Sequence, residues 1–242
     1  MKPDRAAAVE CREPCAMIRS GMNLAQIASV LQKDVVHLQR HVAGLYADME
    51  CRHRRGGKGV LTQCGEYTSP DKVQWLYVVT ISPVRTSLYP MAWYFTGEGI
   101  HAVQIDADGP MTHLRPHVLQ RYRKRHCPGV SIEEALRQLH WNNYDKASEP
   151  CTYQGSPSIA SAVHHGFLLG YMVFGDSVVD MHTFFDVDMG MQRGYLRRMR
   201  QLLDWRRYYA AMAPKLNSSV TDRYVNWGHG FPLRLERLRR AA

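Results

Sequence analysis

The chain has 242 residues, of which 45% are hydrophobic and 10% aromatic, and this composition excludes an intrinsically disordered protein. Its apolar runs fall short of the roughly 20 residues that a membrane-spanning helix needs. The N-terminal residues also lack the apolar core of a signal peptide. We therefore expect a globular, cytoplasmic protein with no membrane partner.

Six cysteines are spread irregularly along the chain, which is not the spacing of a small secreted domain held by disulfides. Cys11 and Cys15 lie four residues apart and His126 adjoins Cys127, but no CxxC pair accompanies them. Reduced thiols, no metal site and no cofactor are therefore expected.

Positive charge is clustered along the chain. Four windows, residues 52–58, 112–126, 193–207 and 234–240, together hold more positive charge than the net +9 of the whole chain, so the remainder is net negative. Such clustering is typical of a surface that binds a polyanion, although solvated helix faces are the alternative for any single window. Nucleic acid, either RNA or DNA, is the expected partner.

Residues 16–47 show apolar residues at helical spacing, interrupted by polar residues 32–34. This pattern predicts two helices joined by a tight turn. The stretch LAQIASVLQKDVVHLQRHV resembles a helix-turn-helix, which would make residues 35–42 the DNA recognition helix. An ordinary helical hairpin packed on the next domain is the alternative. The resemblance implies DNA contacts by His37, Gln39, Arg40 and His41.

Residues 48–72 combine a basic run with several glycines and no apolar period, which predicts a linker or an exposed loop. Residues 72–84, 90–97 and 99–109 are rich in β-branched and aromatic residues and are separated by Pro or Gly. They predict three strands in a meander. Loop residues expected to contact nucleic acid are Arg54, Arg55 and Lys58.

The segment MTHLRPHVLQRYRKRHCPG predicts a short basic helix that begins at Pro116, where a missing N–H is tolerated, and ends at residues 127–129. Ser131 is predicted to begin a second helix through a capping box with Glu134. Residues 148–158, rich in Pro, Ser and Gly, predict a loop. Within 164–188, two strands are expected around a turn at Gly175 and Asp176.

The predicted fold class is α+β, with an N-terminal helical hairpin, an antiparallel sheet with two short helices, and a long basic C-terminal helix. The expected division is a helical segment over 1–47, a basic linker over 48–72, an α+β domain over 73–188 and a helical extension over 189–242. Further basic residues expected to contact nucleic acid are Arg123, Lys124, Arg197 and Arg198.

The order HVLQRYRKR, VSIEEAL, VVDMHTFF resembles toxin-like ribonucleases of the barnase, EndoU, colicin and RelE type over residues 116–185. The family pattern has a histidine, an arginine four residues later, a second arginine and a strand threonine. The matching positions are His117, Arg121, Arg125 and Thr183. The resemblance implies metal-independent RNA cleavage by 2′-hydroxyl attack. A protein partner or an antitoxin-like inhibitor is a further expectation.

By this resemblance His117 would be the general acid or base, the two arginines would stabilise phosphoryl charge, and Thr183 would position an oxygen. A solvated basic helix whose histidine only caps the first turn is the alternative. A second proton-transfer group is also needed, and the residue types leave four candidates open. These are His113, His165, Tyr171 and His182.

Two other functions remain open from the sequence. A non-enzymatic DNA-binding regulator or mobile-element protein would use only the helix-turn-helix segment. A protein-interaction module would present aromatic strand residues as its surface. Those aromatic residues are Trp75, Trp93 and Tyr94.

Overall fold

A computed structural model gives the structure of the protein. It describes residues 18–19, 21–56, 60–82, 86–106, 110–144, 146–175 and 177–186, and the backbone of 231–232. The elements in these ranges are α1 (Leu24–Arg54), β1 (Leu61–Thr68), β2 (Gln74–Ile81), β3 (Thr86–Thr96), β4 (Gly99–Gln104), β5 (Met111–Leu114), α2 (Pro116–His126), α3 (Ile132–Asn143), β6 (Ala147–Tyr153), β7 (Ser156–Val163), β8 (Gly166–Val173), β9 (Val178–Asp186) and β10 (Phe231–Pro232). No helix in these ranges is both long enough and apolar enough to cross a membrane.

The strands form one sheet in the order β1-β2-β3-β4-β5-β9-β8-β7-β6, and β10 pairs with β3. Strands β1 to β5 make one antiparallel meander and β6 to β9 make a second one. The two meanders meet where β5 pairs with β9 in parallel. Helices α2 and α3 connect the two halves, because a parallel pairing requires a crossover connection.

Each face of the sheet carries its own apolar layer. Along β2, Trp75, Tyr77 and Val79 belong to the core that α1 covers, because alternate strand residues point to one face. Leu76 points to the other face and joins the core beneath α2 and α3. The mixed α+β fold class is therefore confirmed, with helices on both sides of a large sheet.

The predicted helical hairpin is wrong, because α1 is a single helix of 31 residues. Gln32 and Lys33, which suggested a turn, lie on its exposed side. Asp34 interrupts the apolar pattern but is buried, and its Oδ2 accepts a hydrogen bond from Trp75 Nε1 at 2.6 Å. A helix-turn-helix needs two helices set at a steep angle. Without the turn, this geometry is absent from the described N-terminal segment.

The predicted linker over 48–72 is also wrong, since α1 continues to Arg54 and β1 follows at Leu61. As the edge strand of the sheet, β1 pairs with β2 on one side and keeps one row of side chains more exposed than the other, so its sequence has no apolar run. The predicted loop over 148–158 is likewise a hairpin of β6 and β7. Pro150 is tolerated there because β6 is the opposite edge strand.

The three meander strands are confirmed as β2, β3 and β4, and the strand pair around Gly175 is confirmed as β8 and β9. Pro116 begins α2 as predicted. Ser131 caps α3 by accepting a hydrogen bond from the Glu134 backbone, whereas the Glu134 side chain binds Arg137 and Gln138. The predicted C-terminal helix lies outside the described residues.

Candidate active site

A row of polar side chains crosses five neighbouring strands on the face of the sheet that carries α1. Tyr94 of β3 pairs with His101 of β4, and His113 of β5 pairs with Asp180 of β9, which in turn pairs with Tyr171 of β8. Helix α1 packs on β1 to β3, so the row runs from its margin across the middle of the sheet to β8. We call these five residues the polar row.

Asp180 is the buried anchor of the polar row. It is only 2% exposed, and its Oδ1 accepts a hydrogen bond from His113 Nδ1 at 2.7 Å. Arg115 Nε donates to its Oδ2 at 3.0 Å. Burial alone would raise the pKa of Asp180, but the hydrogen bonds from His113 and Arg115 outweigh burial and hold it at about 2. The carboxylate is therefore ionised near neutral pH.

Two histidines extend this anchor toward solvent. His113 is 3% exposed, and its Nε2 lies 3.0 Å from Nδ1 of the half-buried His101. His101 Nε2 in turn lies 3.0 Å from the hydroxyl of Thr96, which is exposed. Because Asp180 is ionised, His113 must donate to it through Nδ1. When both rings are neutral, His113 Nε2 accepts from His101 Nδ1–H, and His101 Nε2 accepts from Thr96.

The solvent end of this line carries a neutral imidazole. Burial, together with the neighbouring His113 and Arg115, outweighs the opposing effect of Asp180 and lowers the pKa of His101 to about 4. His101 is therefore unprotonated near neutral pH and has one nitrogen aimed at an exposed hydroxyl. Asp180, His113 and His101 form a hydrogen-bonded line that we call the relay, and its geometry suits general acid–base chemistry.

A cation and a phenol flank the relay. The Arg115 side chain is 44% exposed, yet it binds the buried Asp180 carboxylate, and its Nη2 donates to Tyr171 Oη at 2.9 Å. Tyr171 is 38% exposed, and its ring centroid lies 5.3 Å from that of His182. Burial lowers the pKa of His182. The Arg115 guanidinium and the Tyr171 phenol are thus exposed to solvent next to His182, whose lowered pKa favours a neutral imidazole.

The backbone of β8 and β9 is adapted to this arrangement. Leu169 pairs with Thr183 and Gly170 pairs with Met181, so His182 is the extra residue of a β-bulge. A Cβ at Gly170 would collide with the backbone of Asp180. Glycine at this position therefore permits the close approach of β8 to the strand that carries the anchor.

The structure brings together three of the four residues that the ribonuclease resemblance singled out. Arg121 Nη1 donates to Thr183 Oγ1 at 2.6 Å, and Arg125 Nη1 donates to the Phe184 carbonyl at 3.2 Å. His117 is exposed and makes no hydrogen bond or ion pair within the described part of the chain. Arg121 and Arg125 of α2 are therefore held by β9, whereas His117 of the same helix is exposed to solvent.

The structure places the four candidates for a second proton-transfer group at different distances from the polar row. His113 and Tyr171 belong to the polar row, and His182 lies beside it. His165 instead stacks on His126 at the C-terminal end of α2, with ring centroids 4.5 Å apart. Geometry thus distinguishes residues that residue type alone could not.

The residues predicted to contact nucleic acid occupy several surfaces. On α1, His37 and Gln39 are half-buried, while the exposed His41 stacks on Tyr67 with centroids 4.4 Å apart. Arg54 pairs with Glu50. Further exposed members of the set are Arg40, Arg55, Arg123 and Lys124. Those outside the described residues are Lys58, Arg197 and Arg198.

The aromatic surface proposed for a protein-interaction module is wrong, because Trp75, Trp93 and Tyr94 are all buried in the two apolar layers. Sequence reasoning also missed His101, Asp180 and Arg115. A signal was available in VVDMH, since a lone aspartate within an apolar strand is expected to have a buried partner. Its partner, 67 positions away in the chain, could not be named from the sequence.

Similarity to known proteins does not assign this site. Comparison of the chain with protein-family models, with curated proteins and with solved structures found no match. The chemistry of the site is therefore interpreted from its geometry.

Proposed function

We propose that the protein is a metal-independent endoribonuclease whose reaction centre is the polar row. The observation that carries this proposal is the relay, in which a buried carboxylate orients one imidazole and that imidazole contacts a second, neutral one at the surface. The residues that form it need no metal ion to transfer a proton.

His101 is the general base in this proposal. A ribose 2′-hydroxyl takes the place of the Thr96 hydroxyl at His101 Nε2 and gives up its proton there. The Nδ1 proton of His101 can then pass to His113 Nε2, which leaves the positive charge next to the ionised Asp180. This transfer explains how a base with a pKa of about 4 is stabilised once it has accepted a proton.

Arg115 acts on the phosphate, and Tyr171 helps to hold its guanidinium in place by accepting a hydrogen bond from Nη2. As the 2′-oxygen bonds to phosphorus, negative charge grows on the non-bridging oxygens, and the exposed part of the Arg115 guanidinium stabilises it. The bond from phosphorus to the 5′-oxygen breaks, and the leaving oxygen takes a proton from water at this exposed surface. The products are a 2′,3′-cyclic phosphate and a 5′-hydroxyl end.

Two further features support an RNA substrate. Residues 112–126 form one of the four basic clusters, and Arg115 places one of its cations beside the polar row, whereas α2 covers the opposite face of the sheet. The resemblance to toxin-like ribonucleases covers the same helix and β9, although it would place the histidine at His117. Chemistry by 2′-hydroxyl attack excludes DNA, because deoxyribose lacks the nucleophile.

The test is to incubate the purified protein with end-labelled RNA and DNA in excess chelator. We expect cleavage of RNA alone, with 2′,3′-cyclic phosphate ends, and no cleavage where the scissile nucleotide is 2′-deoxy. His113→Gln should reduce the rate about 100-fold or more, because glutamine cannot transfer a proton near neutral pH. His164→Gln, which changes an exposed histidine away from the polar row, is the matched control.

Three outcomes would count against the proposal. These are cleavage of DNA and RNA alike, cleavage only after a metal ion is added, and a wild-type rate in the His113→Gln variant. Retention of RNA without cleavage would instead indicate a nucleic-acid-binding protein that is not an enzyme.

A further inference from the structure

A second polar cluster lies on α1, away from the residues of the relay. Asp34 and His37 are one helical turn apart on α1, and Asp71 belongs to the turn between β1 and β2. Each of the three offers one ligand atom, and these atoms all lie within 4.8 Å of one another. The cluster therefore bridges the helix and the first hairpin of the sheet.

Asp34 is the unusual member of this cluster. It is 1% exposed, and its Oδ2 accepts a hydrogen bond from Trp75 Nε1. Its Oδ1 is buried and has no hydrogen-bond partner among the described residues. No described lysine or arginine forms an ion pair with it. A buried carboxylate with half of its acceptors unmet is costly, and a bound cation would remove that cost.

The ligand types define the class of cation. One imidazole and two carboxylates suit a divalent transition-metal ion, whereas Mg²⁺ and Ca²⁺ prefer oxygen ligands alone. Zinc binds such atoms at about 2.0–2.2 Å, which places ligands of one ion up to about 4 Å apart. The observed spacing of at most 4.8 Å needs only a small closing movement, and His37 and Asp71 are half-buried, not fully enclosed.

We propose that Asp34, His37 and Asp71 bind a divalent transition-metal ion such as Zn²⁺. The ion binds the free Oδ1 of Asp34, while Trp75 continues to hold Oδ2. It ties α1 to the β1–β2 turn and so stabilises the packing of the helix on the sheet. Water completes the coordination, because three protein ligands leave at least one position open.

The experiment measures zinc bound to the full chain after chelator treatment, by equilibrium dialysis under a reducing agent followed by metal analysis. Because cysteines and other histidines can also hold zinc, the informative quantity is the difference between variants. Wild type should bind one ion more than Asp34→Asn or His37→Gln. His164→Gln is the control and should bind as many ions as wild type.

Stability provides a second readout. Ligand that binds only the folded state raises the melting temperature. Zinc should therefore raise the Tm of wild type and of His164→Gln by several degrees, and by much less in His37→Gln. Magnesium at the same concentration should have little effect. If Asp34→Asn fails to fold, His37→Gln tests the proposal instead. His37 makes no hydrogen bond or ion pair with a described residue, so its replacement should leave the fold intact.

A local signal distinguishes this cluster from zinc bound elsewhere. The indole N–H of Trp75 contacts Asp34 directly, so its ¹⁵N–¹H resonance, identified with Trp75→Phe, should shift as zinc is added. The shift should disappear in His37→Gln. Equal zinc counts and equal Tm shifts in wild type and His37→Gln, or an unmoved Trp75 resonance in wild type, would overturn the proposal.

Discussion

His101 determines the pH range over which the relay can work. Its nitrogen accepts a proton only while the ring is neutral, and burial lowers its pKa to about 4. An ordinary surface histidine would instead lose its capacity as a base below about pH 6.5. At the residue scale, the environment of this one ring therefore leads to a distinctive prediction.

We expect the rate of RNA cleavage to stay level from about pH 8 down to about pH 5 and to fall as the pH approaches the pKa of about 4. Protonated His101 cannot accept the 2′-hydroxyl proton, so the cleavage rate falls as the pH is lowered. Single-turnover rates across this range measure it, with circular dichroism at each pH to confirm that the protein is folded. An acid limb centred near pH 6.5 would contradict the assignment of His101.

The residues of the site were only partly predictable. His113, Tyr171 and His182 were named by residue type, because imidazole and phenol groups transfer protons. Asp180 and His101 were not, since their roles depend on partners in neighbouring strands. The pairing of Arg121 with Thr183 agrees with the expected grouping, whereas the proposed relay assigns to His101 the proton transfer that the resemblance implied for His117.

At the scale of elements, β8 and β9 hold the anchor of the relay in register. The bulge at His182 and the close approach at Gly170 fix the position of Asp180 relative to β8. Any side chain at Gly170 would press on the Asp180 backbone. Strand geometry, and not only side-chain chemistry, should therefore control activity.

Gly170→Ala should destabilise the protein by about 1–3 kcal/mol, as overpacking does, and should lower the cleavage rate because Asp180 is displaced. Gly44→Ala is the matched control, since a Cβ there meets no atom within 4 Å and α1 is helical at that point. It should be neutral or stabilising by about 0.5–1 kcal/mol. Urea unfolding and cleavage rates measure both effects. A Gly170→Ala variant with wild-type stability would show that β8 does not constrain Asp180.

Elements were predictable where a local signal was strong. Pro116 and Ser131 mark the starts of α2 and α3, and the enrichment in β-branched and aromatic residues marks the central strands. Helix α1 was misread because Asp34 interrupts its apolar stripe, although Trp75 supplies the buried partner that makes an aspartate tolerable there. The edge strands β1 and β6 were missed because each pairs with only one neighbouring strand of the described sheet. Their sequences therefore lack the continuous apolar run of a central strand.

At the scale of the whole molecule, the parallel pairing of β5 with β9 assembles the site. It joins two antiparallel meanders, and it places His113 beside Asp180 across 67 positions of sequence. Helices α2 and α3 fill the connection and cover the opposite face. Such a junction depends on tertiary packing, so no local pattern in the sequence could indicate it.

The most direct test of the relay compares single-turnover cleavage of RNA, in excess chelator, by wild type, His101→Gln, His113→Gln and the double variant. Each single change should slow cleavage about 100-fold or more, and the double variant should be little slower than either, because residues that act as one unit are not additive. His117→Gln should keep the wild-type rate, with melting transitions confirming the fold of every variant. A wild-type rate in His113→Gln together with a loss in His117→Gln would contradict the relay and place the chemistry on α2.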